Sequence, residues 1–299
     1  MHKIEYILFS LIRFLILKLP LRQAQHLGSC IGRMLYYLLA SRRTIALENL
    51  QNAFPDKNKS EIIKIAKGSF RNFGISMAEL LWFPKLSDDK LAKLIKTNDI
   101  QKVNRAVTEG KGLIVLSGHF GNWELIASGI ARLSHTPFTI VVQRQANKLV
   151  DNVINNHRCL YGNRVVPMGI SVREILTTLQ SGGVIALAPD QSAPKEGVYV
   201  DFFGRSVPTH QGPAVFALRC RSPILIGFLI RQTDGSYNCI IEEILYSDIK
   251  GHDNEAVKKL TQRHTECLEK YIRLYPDHWL WMHRRWKHQP KSATGRSAA

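Results

Sequence analysis

Residues 113–129 read LIVLSGHFGNWELIASG, and the change of pattern inside this stretch decides the fold. Leu113 to Leu116 form a short continuous apolar run of the kind that fills a buried strand, whereas NWELIASGIARL, from Asn122 onward, has the spacing of a helix. The same alternation recurs downstream. Strand-like runs stand at 138–143 (FTIVVQ), 165–168 (VVPM), 183–189 (GVIALAP), 224–231 (ILIGFLIR) and 237–244 (YNCIIEEI), with helical spacing at Lys148–Leu160, Val172–Gln180 and His210–Leu218. This order predicts an α/β fold with a central mixed, largely parallel sheet flanked by helices on both faces. Asn254–Leu274 reads as a long closing helix. The first 110 or so residues read as helical, with helices over Leu21–Leu39 and Ser60–Leu81; the second follows the turn FPDKNKS and is expected to be capped by Ser60 with Glu61 beyond it. The expected organisation is an anchoring helix over 1–20, one α/β domain over 21–288 and a disordered tail over 289–299.

The 299 residues, 45% of them hydrophobic, suffice for a substantial core. Lys and Arg number 41 against 24 Asp and Glu, a formal charge of +17, so the surface attracts phosphate, carboxylate or acidic proteins. The five cysteines are widely spaced and form no CxxC pair, which argues against a disulfide framework or a structural zinc site. Residues 1–43 hold seven Lys/Arg and one acid, interleaved with the apolar run YILFSLIRFLILKLP. That run is short of the ~20 residues that span a bilayer comfortably, and cations fall inside its stripe. It reads as a membrane-anchoring helix, with a buried core helix as the alternative. The sequence LPLRQAQ that follows lacks a small-residue cleavage site.

His119 and Glu124 are the candidate chemistry. On one continuous helix, five steps would set them about 140° apart, on different faces. If the strand ends at Ser117, Gly118 and Gly121 permit an unusual turn and the helix starts near Asn122, then His119 lies in the loop and Glu124 in the first helical turn. The carboxylate is then expected to curl back to one imidazole nitrogen, leaving the other free to accept a proton. The loop also sits at the carboxyl end of a strand and the amino end of a helix, where α/β folds bind ligands. Taken alone, H-x-x-x-x-E also fits a hydrogen-bonded structural histidine. HExxH, GxSxG, P-loop and GxGxxG motifs are absent, and GSCIG at 28–32 falls in an apolar helical region that suits no nucleophile.

Several longer motifs add to this: SRRTIALENLQNAFP at 41–55, GHFGNWE at 118–124, APDQS at 188–192, VDFFGRSVPTHQGPAVFA at 200–217 and YPDHWLWMHRRWK at 275–287. Together they resemble the late acyltransferases of lipid A biosynthesis, the lauroyl and myristoyl transferases within the lysophospholipid acyltransferase group. By that resemblance His119 and Glu124 match the catalytic H-x4-D/E pair, and Arg144, Arg158, Asp190 and Gln191 occupy substrate-binding positions around the active site. Where such enzymes often carry an Arg-Pro pair followed by Asn-Pro, this chain reads QRQANKLVDN, so Arg144 and Asn147 remain and both prolines are missing.

The resemblance implies transfer of a fatty acyl chain from an acyl carrier protein thioester to a hydroxyl of a Kdo-lipid IVA-type glycolipid, at the cytoplasmic face of the inner membrane. His119 is expected to act as general base, with donors at the helix start and Arg158 facing the oxyanion. No metal, cofactor or nucleic acid is expected; the partners are the carrier protein, an anionic glycolipid and the membrane. The alternatives are an acyl-CoA-dependent phospholipid or phosphatidylinositol-mannoside acyltransferase and, from charge alone, a membrane-tethered nucleic-acid-binding protein. Trp279, Trp281 and Trp286, mixed with basic residues, read as an interfacial belt, and Phe202 and Phe203 as core.

Overall fold

The computed structural model describes residues 2–169 and 172–288. Helices α1 (His2–Lys18), α2 (Leu21–Leu38), α3 (Ala40–Ala53), α4 (Lys59–Trp82) and α5 (Asp88–Leu94) come first. They are followed by β1 (Ile95–Lys96), α6 (Ile100–Thr108), β2 (Leu113–Leu116), α7 (Trp123–Leu133), β3 (Phe138–Val142), α8 (Lys148–Arg158), β4 (Arg164–Pro167), α9 (Val172–Gln180) and β5 (Val184–Leu187). A small hairpin of β6 (Val198–Asp201) and β7 (Ser206–Thr209) precedes α10 (Gly212–Cys220), β8 (Ile224–Arg231), β9 (Tyr237–Glu243) and α11 (Asn254–Leu274).

The seven-stranded sheet runs β1-β9-β8-β2-β5-β3-β4. Only the β8–β9 pairing is antiparallel; β2 pairs in parallel with both β5 and β8 and so lies at the centre. Alternation of side chains sends successive β2 residues to opposite faces. Ile114 and Leu116 join the core built with α9, α10 and α11, while Leu113 and Val115 join the core built with α4, α5 and α7. Burial on both faces is why β2 reads as an unbroken apolar run. The expected largely parallel sheet with helices on both faces is the architecture found.

The glycines of GSCIG have a packing role. A Cβ on Gly32 would stand 2.3 Å from the Phe70 carbonyl oxygen, and one on Gly74 would stand 2.2 Å from that of Gly28. Only hydrogen fits there, and the backbones of α2 and α4 meet directly. The start of α4 corrects the expected cap: Asn58, not Ser60, accepts from the Glu61 amide at 3.0 Å while Glu61 reaches back to the Asn58 amide at 3.0 Å, a reciprocal capping box.

Residues 6–20 correct a second expectation. The run is helical in α1, but no helix among the described residues is long and apolar enough to cross a membrane, so the membrane-anchoring helix expected over 1–20 is not supported. α1 buries Ile16, and its end is tied down where Lys85 Nζ donates to the Leu17 carbonyl at 2.9 Å and Trp82 Nε1 to that of Leu19 at 3.0 Å. The tryptophan belt is a third correction. Trp279, Trp281 and Trp286 are buried, and their rings pack with Phe54, Phe202 and Phe203 into one aromatic core. Phe202 and Phe203 are thus core residues, as expected. The tail over 289–299 lies outside the described residues.

Candidate active site

The loop between β2 and α7 is held from three sides. Gly121 has φ +57°, and a Cβ there would stand 2.0 Å from the Leu229 carbonyl oxygen, so glycine is required by both conformation and space. Asn122 caps α7 by accepting from the Leu125 amide at 2.9 Å. From α4, Ser76 Oγ donates to the Gly121 carbonyl at 2.8 Å. From the C-terminal segment, the Gly121 amide donates to the His278 carbonyl at 2.8 Å and the Leu280 amide to the His119 carbonyl at 2.9 Å, forming a two-residue bridge.

Beneath the loop lies a buried carboxylate. Glu79 on α4 accepts from Asn122 Nδ2 at 2.6 Å, Gln25 Nε2 at 2.7 Å, Arg231 Nη1 at 2.8 Å and Tyr237 Oη at 2.5 Å. Glu79→Ala strands the Arg231 guanidinium and the Asn122 amide without an acceptor. Breaking a buried pair in this way costs ~3–5 kcal/mol, so denaturant unfolding should show a midpoint lowered to match, with the β2–α7 loop losing protection from hydrogen exchange first.

His119 rests on Asp190, which follows β5. Nδ1 is 2.7 Å from Asp190 Oδ1, and the His119 amide donates to Oδ2 at 2.8 Å. Trp279 Nε1 donates to the same Oδ2 at 2.8 Å. A carboxylate accepts, so Nδ1 carries the proton and Nε2 presents its lone pair. Nε2 lies 3.1 Å from Gln191 Nε2, an amide N–H that stands where a substrate O–H would donate. The Trp123 ring, itself stacked on Phe73, flanks the imidazole with centroids 5.2 Å apart. Burial by itself disfavours the imidazolium, but the charge and hydrogen bond of Asp190 and the charge of Glu124 outweigh it, so the His119 pKa is raised; Arg158 opposes. Burial pushes the Asp190 pKa up, and the charge and hydrogen bonds from His119 with that from Trp279 more than offset it, leaving the carboxyl below its ordinary range.

Glu124 does not take the expected place. Its Oε2 accepts from Arg158 Nε at 2.8 Å and its Oε1 from Arg158 Nη2 at 2.6 Å, a buried bidentate pair. Arg158 Nη1 donates to Asn155 Oδ1 at 2.8 Å. Glu124 therefore acts on the imidazole through its field, and Asp190 supplies the contact.

Two kinds of similarity join this geometry. A family model described as bacterial lipid A biosynthesis acyltransferase matches residues 2–288. The chain belongs to that family. It is 27% identical over 281 residues to the lipid A biosynthesis palmitoleoyltransferase of Escherichia coli (strain K12), covering 91% of this chain and 88% of the relative. Against the lipid A biosynthesis lauroyltransferase of the same organism it is 24% identical over 288 residues, covering 95% and 91%. It is also 23% identical over 226 residues to the phosphatidylinositol mannoside acyltransferase of Mycolicibacterium smegmatis (strain ATCC 700084 / mc(2)155), covering 74% and 72%. This acyltransferase thus has relatives named for two acceptor lipids.

Of the residues expected from sequence, His119, Asp190 and Gln191 come together in direct contact, and Glu124 with Arg158 forms a second pair beside them. Arg144 is exposed, in the loop before α8, and among the described residues no hydrogen bond or ion pair links it to the others. Asn147 caps α8 and donates to the His2 carbonyl at 2.8 Å, so it ties α1 to α8. Sequence reasoning missed Trp279 as a ligand of Asp190, and it missed the Glu79 network. The i, i+2 spacing of Trp279 and Trp281 is a strand signal that the aromatic-basic composition of the segment obscures.

Proposed function

We propose that the protein transfers a fatty acyl chain from an acyl carrier protein thioester to a hydroxyl of an anionic lipid A precursor glycolipid, with His119 as general base. The observation that carries this reading is the His119–Asp190 contact of 2.7 Å, which leaves Nε2 as the proton-accepting nitrogen in a partly exposed imidazole at the carboxyl end of a central parallel strand. The acceptor hydroxyl displaces the Gln191 amide and gives its proton to Nε2 as it attacks the thioester carbonyl; as the tetrahedral intermediate collapses, the C–S bond breaks and the leaving sulfur takes that proton from the imidazolium, departing as the thiol and restoring the neutral base. Asp190 steadies the imidazolium formed. Arg158 spends three of its five N–H groups on Glu124 and Asn155, and the remainder are available to the developing oxyanion. The thioester is already activated, so no acyl-enzyme is needed.

The base must be neutral to accept a proton. Because the His119 pKa is raised from 6.5, kcat/KM is expected to climb with pH through a limb above 6.5 and to fall on acidification, while Asp190 stays ionised throughout. A pH–rate profile checks this, and a flat profile between pH 6 and 8 counts against the base.

The membrane is proposed as the place of work, at the cytoplasmic face of the inner membrane. α1 exposes Ile4, Ile7, Leu8, Leu11, Phe14 and Leu15, and α2 exposes Met34, Tyr37 and Leu38. At 1.5 Å per residue α1 is about 26 Å long, short of the ~30 Å hydrocarbon core, so it lies along the interface and does not cross it. The charge of +17 suits both lipid phosphates and an acidic carrier protein.

The mannoside acyltransferase relative favours a second reading, in which the donor is acyl-CoA and the acceptor a phosphatidylinositol mannoside. Purified protein given each donor with each acceptor, with products read by mass spectrometry, separates the two. Product only from acyl carrier protein and lipid A precursor is the expected result; product only from acyl-CoA and the mannoside overturns it.

A further inference from the structure

We propose that Arg285 is a positioning residue for this reaction: across the cavity it shares with Asp190 it offsets that carboxylate, so that more of His119 stands as the neutral imidazole a base must be. The inference builds on the reading of His119 as the base.

Arg285 is 1% exposed. Its Nη1 donates to the Pro208 carbonyl at 2.8 Å and its Nη2 to Thr209 Oγ1 at 2.6 Å, and the guanidinium lies over the Phe202 ring, 5.2 Å from its centroid. Among the described residues no carboxylate lies within ion-pair distance of it. A buried cation left with neutral partners alone is strongly disfavoured and needs an anion close by. Asp190 is that anion. Both residues line one cavity of about 10 Å³, the space of a single water molecule, together with Ser117, Thr209 and His264. Burial brings the Arg285 pKa down to about 10, with Asp190 opposing the change, so the side chain is still a cation at neutral pH.

The remaining ionisable groups make the balance complete. Glu124 is matched by Arg158 on the α7–α8 side. His264 on α11 and His283 in the C-terminal segment are held by burial at about 4, and His210, beside the hairpin, is lowered as well, so all three are neutral at pH 7. Two anions and two cations then surround one imidazole. Without Arg285, the neutral imidazole and ionised Asp190 together form a buried net charge of −1, which the pair relieves by taking up a proton at higher pH. That conclusion is the same whichever of the two groups is taken to hold the proton.

The test follows His119 directly. In histidine-¹⁵N-labelled protein in detergent micelles, with the His119 signal identified by its loss in His119→Gln, Arg285→Met should raise the apparent pKa of His119 by on the order of one unit. Arg285→Lys, which keeps the charge, should leave it within a few tenths. The ascending limb of kcat/KM should move with the imidazole titration. An unchanged His119 titration in Arg285→Met overturns the inference even if acyl transfer is found; a raised titration supports it even if no donor is accepted, so the two proposals fail separately. Should Arg285→Met fold too poorly for spectroscopy, thermal unfolding decides: Asp190→Asn added to Arg285→Met should raise the midpoint, and no rise refutes the pairing.

Discussion

His119→Ala should leave a folded protein whose kcat/KM for acyl transfer is reduced by at least ~10²- to 10⁴-fold, the contribution typical of a positioned general base. A sugar or 3-hydroxyacyl alcohol is a poor nucleophile at neutral pH, and the task of deprotonating it is proposed to fall to the imidazole Nε2. The fold should tolerate the change. The His119 side chain is 20% exposed and touches Asp190, Gln191 and Trp123, whereas the loop backbone is fixed through Gly121, Asn122 and the His119 amide and carbonyl. Steady-state transfer together with unfolding midpoints for wild type and variant checks both halves; a variant that retains a tenth or more of the activity removes His119 from the chemistry.

Asp190→Asn should be nearly as damaging, by up to ~10⁴-fold, for a reason that the hydrogen bonds spell out. Two N–H donors, the His119 amide and Trp279 Nε1, both point at Oδ2. In asparagine that position must therefore be the carbonyl oxygen, and the NH₂ then faces His119 Nδ1. A donor facing Nδ1 drives its proton to Nε2, the wrong tautomer for a base. The Ser-His-Asp triad shows the same logic, where the equivalent replacement costs ~10⁴ in kcat with the geometry intact. Single-turnover transfer should show the loss in the chemical step with substrate affinity retained. Equal losses from Asp190→Asn and from a distant destabilising change would sink the tautomer argument.

The fold was legible because a parallel sheet covered on both sides writes itself as apolar runs, and 113–116, 184–187 and 224–231 are such runs. β6 and β7 were not. They are four residues each, carry Asp201, Ser206 and Pro208, and turn through Phe203 and Gly204 at φ +56° and +68°, so neither composition nor periodicity marks them. The site divides in the same way. The local signal placed His119 in a loop and Glu124 in a first helical turn, and both are there. The choice of partner was a long-range matter: α8 delivers Arg158 to Glu124 and the end of β5 delivers Asp190 to His119, and nothing within residues 118–124 records either arrival. For Trp279, Trp281 and Trp286, an aromatic-basic mixture looks alike at a membrane interface and in a core that holds a buried arginine. Only the hairpin packed over them decides for the core.

The bridge between the GHFG loop and residues 278–280 has an outcome for biosynthesis. The imidazole comes from residue 119, its carboxylate partner from 190 and the indole that donates to that carboxylate from 279, and the same late segment also clasps the loop backbone on both sides of Phe120. A nascent chain that has already folded its central strands therefore lacks the Trp279 indole and the second clasp on the loop until its last tryptophans emerge, so the candidate site is completed only at the end of synthesis.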